Sequence, residues 1–325
     1  MNLHVAPAGR LGTEQVTSVL RAATLAPSTH NTQPWLFAAD RDEIALYADL
    51  DRVLPIADQD RRELLLSCGA ALFNLRTAIR ALGVHPATTL FPRRDEPELL
   101  AVVRPRTTAP ADPRSAALAR AIPRRHTNRA PFAAKPVPAG LLSLLRHAAE
   151  AEAAWLPQLD EHQLATLDEL VRESHRLQSA DLAFVAEWRR WTGRDAASRD
   201  GVPFTAAGTA ADDDTWVLRD LGTGTAATVP PLVVVLGSFD DAPADRLRAG
   251  QAMQRVLLTA TGHGLDASFI SQPVEVPATR DRLRALLGDG LWPQIVLRFG
   301  YGEPGAWTPR RTLADVLLER PSLSA

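Results

Sequence analysis

The spacing of apolar residues along the chain predicts alternating helices and short strands. Apolar side chains recur at helical intervals over 14–26, which predicts a helix with one buried face. The segments 35–40 and 44–48 alternate between apolar and polar residues around Arg41-Asp42, as the two strands of a β-hairpin do.

The longest apolar stripe lies over 60–82 and predicts a core helix. Gly83 follows it and suits the left-handed conformation that often ends a helix. Two more strands are predicted at 88–92 and 99–104, and 106–113 has the Thr-, Ala- and Pro-rich composition of a linker. These elements predict a complete first unit.

The same order of elements returns later in the chain. Gly250, Ala252, Gly264 and Pro273 stand 181 residues after Gly69, Ala71, Gly83 and Pro92. Between the outer residues of each set the order is helix, glycine, apolar strand and proline. Such an offset indicates an internal duplication. We therefore predict two halves, 1–108 and 109–325, with an insertion over about 160–230 in the second half.

Composition is that of a globular protein, with 46% apolar and 23% charged residues. The net charge of −2 gives no reason to expect nucleic acid or an anionic membrane as a partner. Cys68 is the single cysteine, which excludes an internal disulfide, and its place in the apolar stripe favours a core residue over a catalytic thiol. Without a signal peptide or an uninterrupted apolar run of membrane length, a cytoplasmic protein is expected.

Two sequence patterns in the insertion region give little evidence for a ligand site. The glycine-rich stretch 222–228 precedes an apolar strand at 232–236 instead of following one, so a nucleotide-binding loop is not expected there. The contiguous acids 212–214 are more typical of a solvated turn than of a metal site, and the histidines show no ligand spacing. We therefore predict no metal.

A polar loop, Pro27-Ser28-Thr29-His30-Asn31-Thr32-Gln33-Pro34, separates the first predicted helix from the first strand. A rigid loop of hydrogen-bonding side chains between two prolines is typical of a small-ligand site. An ordinary turn explains the same residues equally well.

Arginines cluster at the start of the second half, where Arg124, Arg125 and Arg129 fall within six residues. Their guanidinium groups repel one another unless an anion or a carboxylate lies among them. A phosphate suits that position, because the guanidinium fork binds its oxygens in pairs. The alternative is a solvated basic turn.

The loop Ala-Pro-Ser-x-x-Asn-x-Gln-Pro-Trp resembles the flavin loop of the nitroreductase family, and the stretch 124–132 resembles the Arg-rich turn of that family. The resemblance implies an α+β fold with mainly antiparallel sheets, built in the family as a homodimer with FMN at the subunit interface. Here the first half keeps the loop and lacks the turn, whereas the second half does the reverse. This asymmetry is similar to the Acg-like branch and implies an intrachain pseudo-dimer that holds one FMN.

Carried over by position, the resemblance implies a set of cofactor contacts. They are Pro27, Ser28, Thr29 and Asn31 in the loop, Arg125, His126, Thr127 and Arg129 in the turn, Pro273, Val274 and Glu275 after a strand at 265–271, and Arg310 and Arg311 in the tail. Arg124 is a weaker candidate, and His30 occupies a position expected to face solvent. Arg129 is the candidate for stabilising the N1/O2 edge of the reduced flavin, and no acid–base side chain is required.

The insertion is expected to form helices over 161–192 and, from the resemblance, a lid over the flavin. The implied function is hydride transfer from NAD(P)H through FMN to nitroaromatic or quinone acceptors. The alternative is a protein that stores FMN under a closed lid without turnover. A fused pseudo-dimer already contains its partner half, so a monomer is sufficient.

Overall fold

A computed structural model describes residues 5–108, 110–195, 197–203, 231–303 and 307–318. The N-terminal part of the chain contains helices α1 (Thr13–Thr24) and α2 (Arg62–Ala81) and strands β1 (Trp35–Asp40), β2 (Glu43–Ala48), β3 (Val84–Leu90) and β4 (Leu99–Thr108), and helix α3 (Pro113–Ala121) follows β4. The four strands form one antiparallel sheet in the order β1-β2-β4-β3.

The rest of the chain adds α4 (Ala139–Glu150), α5 (Glu161–Ala180), α6 (Leu182–Trp191), β5 (Thr192–Arg194), β6 (Val202–Pro203), β7 (Leu232–Ser238), α7 (Pro243–Gly262), β8 (Asp266–Ile270), α8 (Gln272–Glu275), α9 (Pro277–Leu286), β9 (Trp292–Gly300) and α10 (Leu313–Val316). Strands β7, β9 and β8 form a second antiparallel sheet in that order, and β5 pairs with β6 in parallel. The predicted fold class, α+β with mainly antiparallel sheets, is confirmed.

The two larger sheets share one topology. In each, a long helix connects one strand to an edge strand, giving β2-α2-β3 and β7-α7-β8, and the strand that follows in the chain, β4 or β9, lies between those two. The segment at Trp155 and Gln158 bridges antiparallel to Gly237 and Val234, on the side of β7 that corresponds to the position of β1. The order of elements thus repeats in space as it repeats in the sequence.

Helices α2 and α7 pack against each other at two glycines. A Cβ on Gly69 would lie 2.3 Å from the carbonyl oxygen of Leu247, and a Cβ on Gly250 would lie 2.2 Å from the carbonyl oxygen of Leu66. The two contacts are reciprocal, because each glycine faces the carbonyl three residues before the other. Glycine permits this approach because it lacks a side chain.

Helix α2 forms the centre of the core. Its apolar window is long and hydrophobic enough to cross a bilayer, yet 78% of that window is buried inside the protein. Cys68 is fully buried, as predicted, and its thiol lies 3.1 Å from the carbonyl oxygen of Pro34. The carboxylate of Asp58 accepts hydrogen bonds from the backbone of Glu63 and Leu64, so α2 begins at Arg62 and not at residue 60.

The predicted linker 106–113 is wrong. Residues up to Thr108 belong to β4, where Thr108 pairs with Val84, and Pro113 is the first residue of α3. Asp112 caps that helix by accepting from Ser115. Turn-forming residues at 110–113 were correctly identified as a break, but the pairing with β3 extends the strand further than local composition indicates. The predicted features at 204–230, including the acids at 212–214 and the stretch 222–228, lie outside the described residues.

Candidate functional site

The polar loop has a constrained backbone. His30, Asn31 and Gln33 have φ values of 47°, 56° and 52°, a region that residues other than glycine seldom occupy. The hydroxyl oxygen of Ser28 accepts a hydrogen bond from the Gln33 amide at 2.9 Å, which closes the loop on itself. Backbone of this kind is held by its surroundings and is concentrated at functional sites.

Helix α2 anchors the loop from below. The Thr29 hydroxyl donates to Glu63 at 2.6 Å, and the Thr29 amide donates to the Ser67 hydroxyl at 3.4 Å. Glu63 and Ser67 are four residues apart and therefore share one face of the helix. Glu63 is also paired with Arg62, which donates its other hydrogen bond to the carbonyl oxygen of Gln294.

The Arg-rich turn reaches the loop from the second half. Thr127 forms a parallel bridge with Ala267, and the Asn128 amide donates to the Ala267 carbonyl at 2.9 Å, so β8 fixes the turn. Arg125 is 5% exposed, and its Nε and Nη1 atoms have no hydrogen-bond partner among the residues that the structure describes. A buried cation with unpaired donors is unfavourable unless an anion binds to it.

Two further guanidinium groups lie beside Arg125. Within the described residues Arg310 donates to neutral oxygens, among them Asn31 Oδ1 at 3.0 Å and Thr308 Oγ1 at 2.9 Å. Burial, and to a smaller extent the neighbouring Arg310 and Arg129, lower the pKa of Arg125 to about 9. Burial likewise lowers the pKa of Arg129 and of Arg310 to about 10. The neighbouring cations therefore disfavour the charged form of Arg125, and a bound anion would favour it.

A cavity of about 780 Å³ lies between the loop, the turn, α2 and the insertion. It is lined at one end by the three guanidinium groups and at another by Glu63 and Glu275. A small recess lined by Trp307 and His126 shares Arg125, Arg129 and Arg310 with the cavity. The volume of the large cavity, about 780 Å³, falls within the range of cofactor and drug-sized ligand sites.

The insertion forms one wall of this cavity. Helices α5 and α6 contribute Gln178, Phe184, Val185 and Trp188 to the lining. The predicted helices at 161–192 are confirmed, with a break at Asp181, which caps α6 by accepting from Ala183 and Phe184.

Residues 199–201 of the insertion form a clamp with the polar loop and Arg52. Asn31 donates to the Gly201 carbonyl at 2.9 Å, and Gln33 donates to the Arg199 carbonyl at 2.9 Å. Arg52 donates to Asp200 at 2.8 Å and to the carbonyl oxygen of Thr32 at 2.8 Å. The clamp therefore joins the wall of the cavity to its floor.

Curated proteins from Mycobacterium tuberculosis align with nearly the whole chain. "Putative NAD(P)H nitroreductase Rv3131" is 34% identical over 331 residues, which cover 98% of this chain and 93% of the relative. "Putative NAD(P)H nitroreductase acg" is 33% identical over 319 residues, covering 94% and 95%. The chain belongs to the nitroreductase family.

A search of protein-family models gave no match. Among solved structures, the FMN-dependent nitroreductase NfnB from Mycobacterium smegmatis in complex with NADPH has a TM-score of 0.44 and 19% identity, covering 63% of this chain and 98% of NfnB. Iodotyrosine deiodinase bound to FMN has a TM-score of 0.43 and 16% identity, covering 64% and 100%.

Most of the residues expected from the family line the cavity. These are Pro27, Ser28, Thr29, Asn31, Arg125, Thr127, Arg129, Glu275 and Arg310. The fold therefore brings to one cavity expected residues that are distant in the sequence, such as Pro27 and Arg310, which are 283 positions apart.

Four expected residues are placed elsewhere. Pro273 and Val274 are buried in α8 and do not line the cavity, and Val274 belongs to the hydrophobic core. Arg311 pairs with Asp49 at 2.8 Å instead of facing the cavity. His126 lines only the recess, where its ring lies 5.3 Å from that of Trp307 and 3.6 Å from the Asp266 carboxylate.

The expectation that His30 faces solvent is wrong. Its side chain lines the cavity, its Nε2 atom is buried without a partner, and burial lowers its pKa to about 4. Glu63 and Gln178 are also missed by sequence reasoning. The i, i+4 spacing of Glu63 and Ser67 on a core helix was the available signal, because polar pairs on such a helix are rarely buried without a function.

Proposed function

We propose that the chain is an FMN-dependent NAD(P)H oxidoreductase that reduces nitroaromatic or quinone acceptors. The observation that carries the proposal is a group of three guanidiniums that line the cavity together, with Arg125 buried and Arg129 and Arg310 partly buried. Arg125 has two unpaired donors there, so the site fits a phosphate, which accepts several hydrogen bonds and neutralises the repulsion. The family supports FMN as the molecule that carries this phosphate.

When bound, FMN supplies the redox chemistry, because it accepts a hydride from NAD(P)H and passes electrons to an acceptor. The chain's own residues bind and orient it. Arg125 and Arg310 would hold the phosphate, and Arg129 is the cation that would stabilise negative charge on the reduced ring. The polar loop, fixed by Glu63 and Ser67, forms the floor, and α5 and α6 exclude water from one side.

We further propose that the two halves arose by duplication and that each chain binds one FMN. Matching sheet topology and the reciprocal contacts of Gly69 and Gly250 support this, since reciprocal contacts are a property of two-fold interfaces. Titration of the FMN-free protein followed by absorbance measures the stoichiometry. Uptake of two equivalents would refute the single site.

Substituting neighbouring arginines tests the phosphate site. Arg125→Met should weaken FMN binding by roughly tenfold to a hundredfold, because a charge-assisted hydrogen bond contributes about 1.5–3 kcal/mol. The same variant should leave the FMN-free protein as stable as wild type or more stable, since a buried unpaired cation is removed. Arg124→Met is the matched control, because Arg124 is exposed and absent from the cavity lining. Equal FMN affinity in both variants would contradict the proposal.

The alternative function is FMN storage, and the clamp between the insertion and the loop favours it. Asp200 pairs with both Arg52 and Arg194, at 2.8 and 3.2 Å. NADH and NADPH oxidation with menadione, measured for wild type and Asp200→Asn, separates the two functions. Turnover by wild type supports the enzyme, whereas activity that appears only after Asp200→Asn supports storage. No turnover in either protein, although both are yellow, would refute the oxidoreductase proposal.

A further inference from the structure

The carboxylate of Glu275 has an unusual environment. Its Oε2 atom accepts a hydrogen bond from Gln178 at 2.7 Å, whereas its Oε1 atom is buried and accepts none from the described residues. No ion pair joins Glu275 to a basic side chain within the part of the chain that the structure describes. A buried carboxylate oxygen without a donor is unfavourable, so the site is incomplete without a ligand.

The charged groups around Glu275 do not supply its counter-ion. Glu63 on α2 is the nearest like charge, and Arg62 is occupied by its ion pair with Glu63. Burial and the charge of Glu63 raise the pKa of Glu275 to about 7, although Ser271 and Gln178 favour the ionised form. Other titratable residues that line the cavity are His30 in the loop, which is neutral because burial lowers its pKa to about 4, and His175 on α5.

The arginines that line the cavity do not serve as the counter-ion of Glu275 either. Arg125, Arg129 and Arg310 surround the recess beside Trp307, which Glu63 and Glu275 do not line. If the proposed function holds, the cofactor phosphate occupies Arg125 and Arg310, and the flavin ring occupies Arg129. Arg189 on α6 lines the rim but is exposed, so solvent and salt screen its charge.

The wall nearest to Gln178 is apolar and aromatic. Leu182, Phe184, Val185 and Trp188 extend from α6 along the same cavity. Aromatic faces attract cations within about 6 Å, and apolar side chains bind the body of an organic ligand. A ligand with an apolar or aromatic body and one positive charge therefore matches both the wall and the unpaired carboxylate.

We infer that the cavity selects organic cations, electron acceptors among them, and that Glu275 is their counter-ion. This inference rests on the proposed function only in assigning the arginine end to the cofactor. It names the substrate class that the family resemblance leaves open: cationic aromatic compounds are preferred over neutral ones, and anions such as nitrobenzoate are disfavoured by Glu63 and Glu275.

The inference is tested by comparing the affinity of the protein for three ligands. These are benzyltrimethylammonium, its uncharged isostere neopentylbenzene, and the anion benzoate. The quaternary ammonium group does not titrate, so any pH dependence of its affinity belongs to the protein. Dissociation constants are measured by calorimetry and by the change in flavin absorbance, using the protein with FMN bound. At pH 8 we expect the cation to bind roughly tenfold to a hundredfold more tightly than the isostere.

The direction of the pH effect follows from the carboxylate. Since the pKa of Glu275 is about 7, about nine-tenths of it is ionised at pH 8 and about one-tenth at pH 6. Affinity for the cation should therefore fall about tenfold from pH 8 to pH 6, whereas affinity for the isostere should not change. Glu275→Gln should abolish both the preference and its pH dependence.

Glu173→Gln is the matched control, because Glu173 lies on α5 in a surface ion pair with Arg282 and is absent from the cavity lining. It should keep the wild-type preference. Equal binding of the cation and the isostere by the yellow wild-type protein, or a preference that survives Glu275→Gln, would overturn the inference and leave the proposed function intact. A colourless protein that ignores added FMN would instead refute the proposed function, and the same ligands can then be compared in the cofactor-free cavity.

Turnover of nitrobenzyl compounds, measured with FMN bound, tests the same inference in catalysis. The ratio of kcat/KM for 4-nitrobenzyltrimethylammonium to that for 4-nitrobenzyl alcohol should exceed one in wild type and in Glu173→Gln. In Glu275→Gln the ratio should fall by roughly tenfold, mainly through KM, because the carboxylate contributes to binding. A fall of the same size for both acceptors would indicate a structural defect and would count against charge selection.

Discussion

The contact between α2 and α7 predicts a large effect of a single methyl group. In Gly69→Ala the new Cβ would lie 2.3 Å from the Leu247 carbonyl oxygen, 2.9 Å from the Gly250 Cα and 3.1 Å from the Gln251 nitrogen. All three are backbone atoms of one helix, so no side-chain rotation relieves the overlap and the helices must move apart. Overpacking of this kind costs about 1–3 kcal/mol, against a gain of about 1 kcal/mol from the higher helix propensity of alanine.

We expect the overlap to dominate, because both helices are buried and hold the two sheets. The free energy of unfolding should fall by about 1–2 kcal/mol in Gly69→Ala and by a similar amount in Gly250→Ala. Gly262→Ala is the control: Gly262 is the last residue of α7 and has no atom within 4 Å of a new Cβ, so its substitution should be neutral or slightly stabilising.

Urea denaturation followed by circular dichroism measures these differences, with the slope of the transition checked for constancy. The double variant Gly69→Ala/Gly250→Ala should lose less than the sum of the single losses, since helices already separated by one methyl group accommodate the second. Single variants as stable as Gly262→Ala would refute the reasoning about close approach. Fully additive losses would show that the two contacts are independent.

Three further predictions concern individual side chains. Burial and the charge of Glu63 raise the pKa of Glu275 from 4.5 to about 7, so between these pH values the folded protein holds a proton that the unfolded chain releases, and the free energy of unfolding decreases as pH rises. In urea titrations Glu275→Gln should therefore stabilise the FMN-free protein relative to wild type more at pH 8 than at pH 5. An equal difference at both pH values would contradict this. Arg310→Ala should weaken FMN binding measured by fluorescence titration, whereas Arg311→Ala should mainly lower the unfolding midpoint, since Arg311 pairs with Asp49 at 2.8 Å; a similar loss of affinity in both would place Arg311 in the site. Cys68 is fully buried and burial raises the pKa of its thiol, so a thiol reagent should modify it only after denaturation, and rapid labelling of the native protein would be inconsistent with this packing.

Elements with a strong apolar period were predictable from the sequence. The hairpin β1-β2, helix α2 and the helices of the insertion have ends within a few residues of those expected, because their patterns are determined by local burial. The extent of β4 was not predictable, since its last residues are strand only through pairing with β3. Local composition contains no information about a partner strand.

The site was predictable where a motif specifies both residue type and position. Arg125 and Arg129 belong to such a motif, and the structure places them together with Arg310. Arg311 follows Arg310 directly in the sequence, and only the position of Asp49 assigns it to a different set of contacts. His30 and Glu275 show the same limit, because the burial that shifts the pKa of each side chain is provided by helices distant in the sequence.

The described tail, 307–318, has a consequence for biosynthesis. Asn31 donates to the carbonyl oxygen of Pro309 at 3.0 Å, and the amide of Leu318 donates to the carbonyl oxygen of Phe37 at 2.7 Å. The contacts of the polar loop and of β1 are therefore complete only after the chain has been synthesised through 309–318. A nascent chain that has not yet reached Arg310 lacks one of the three guanidinium groups of the cavity, so we expect it to bind FMN more weakly than a chain that includes this residue.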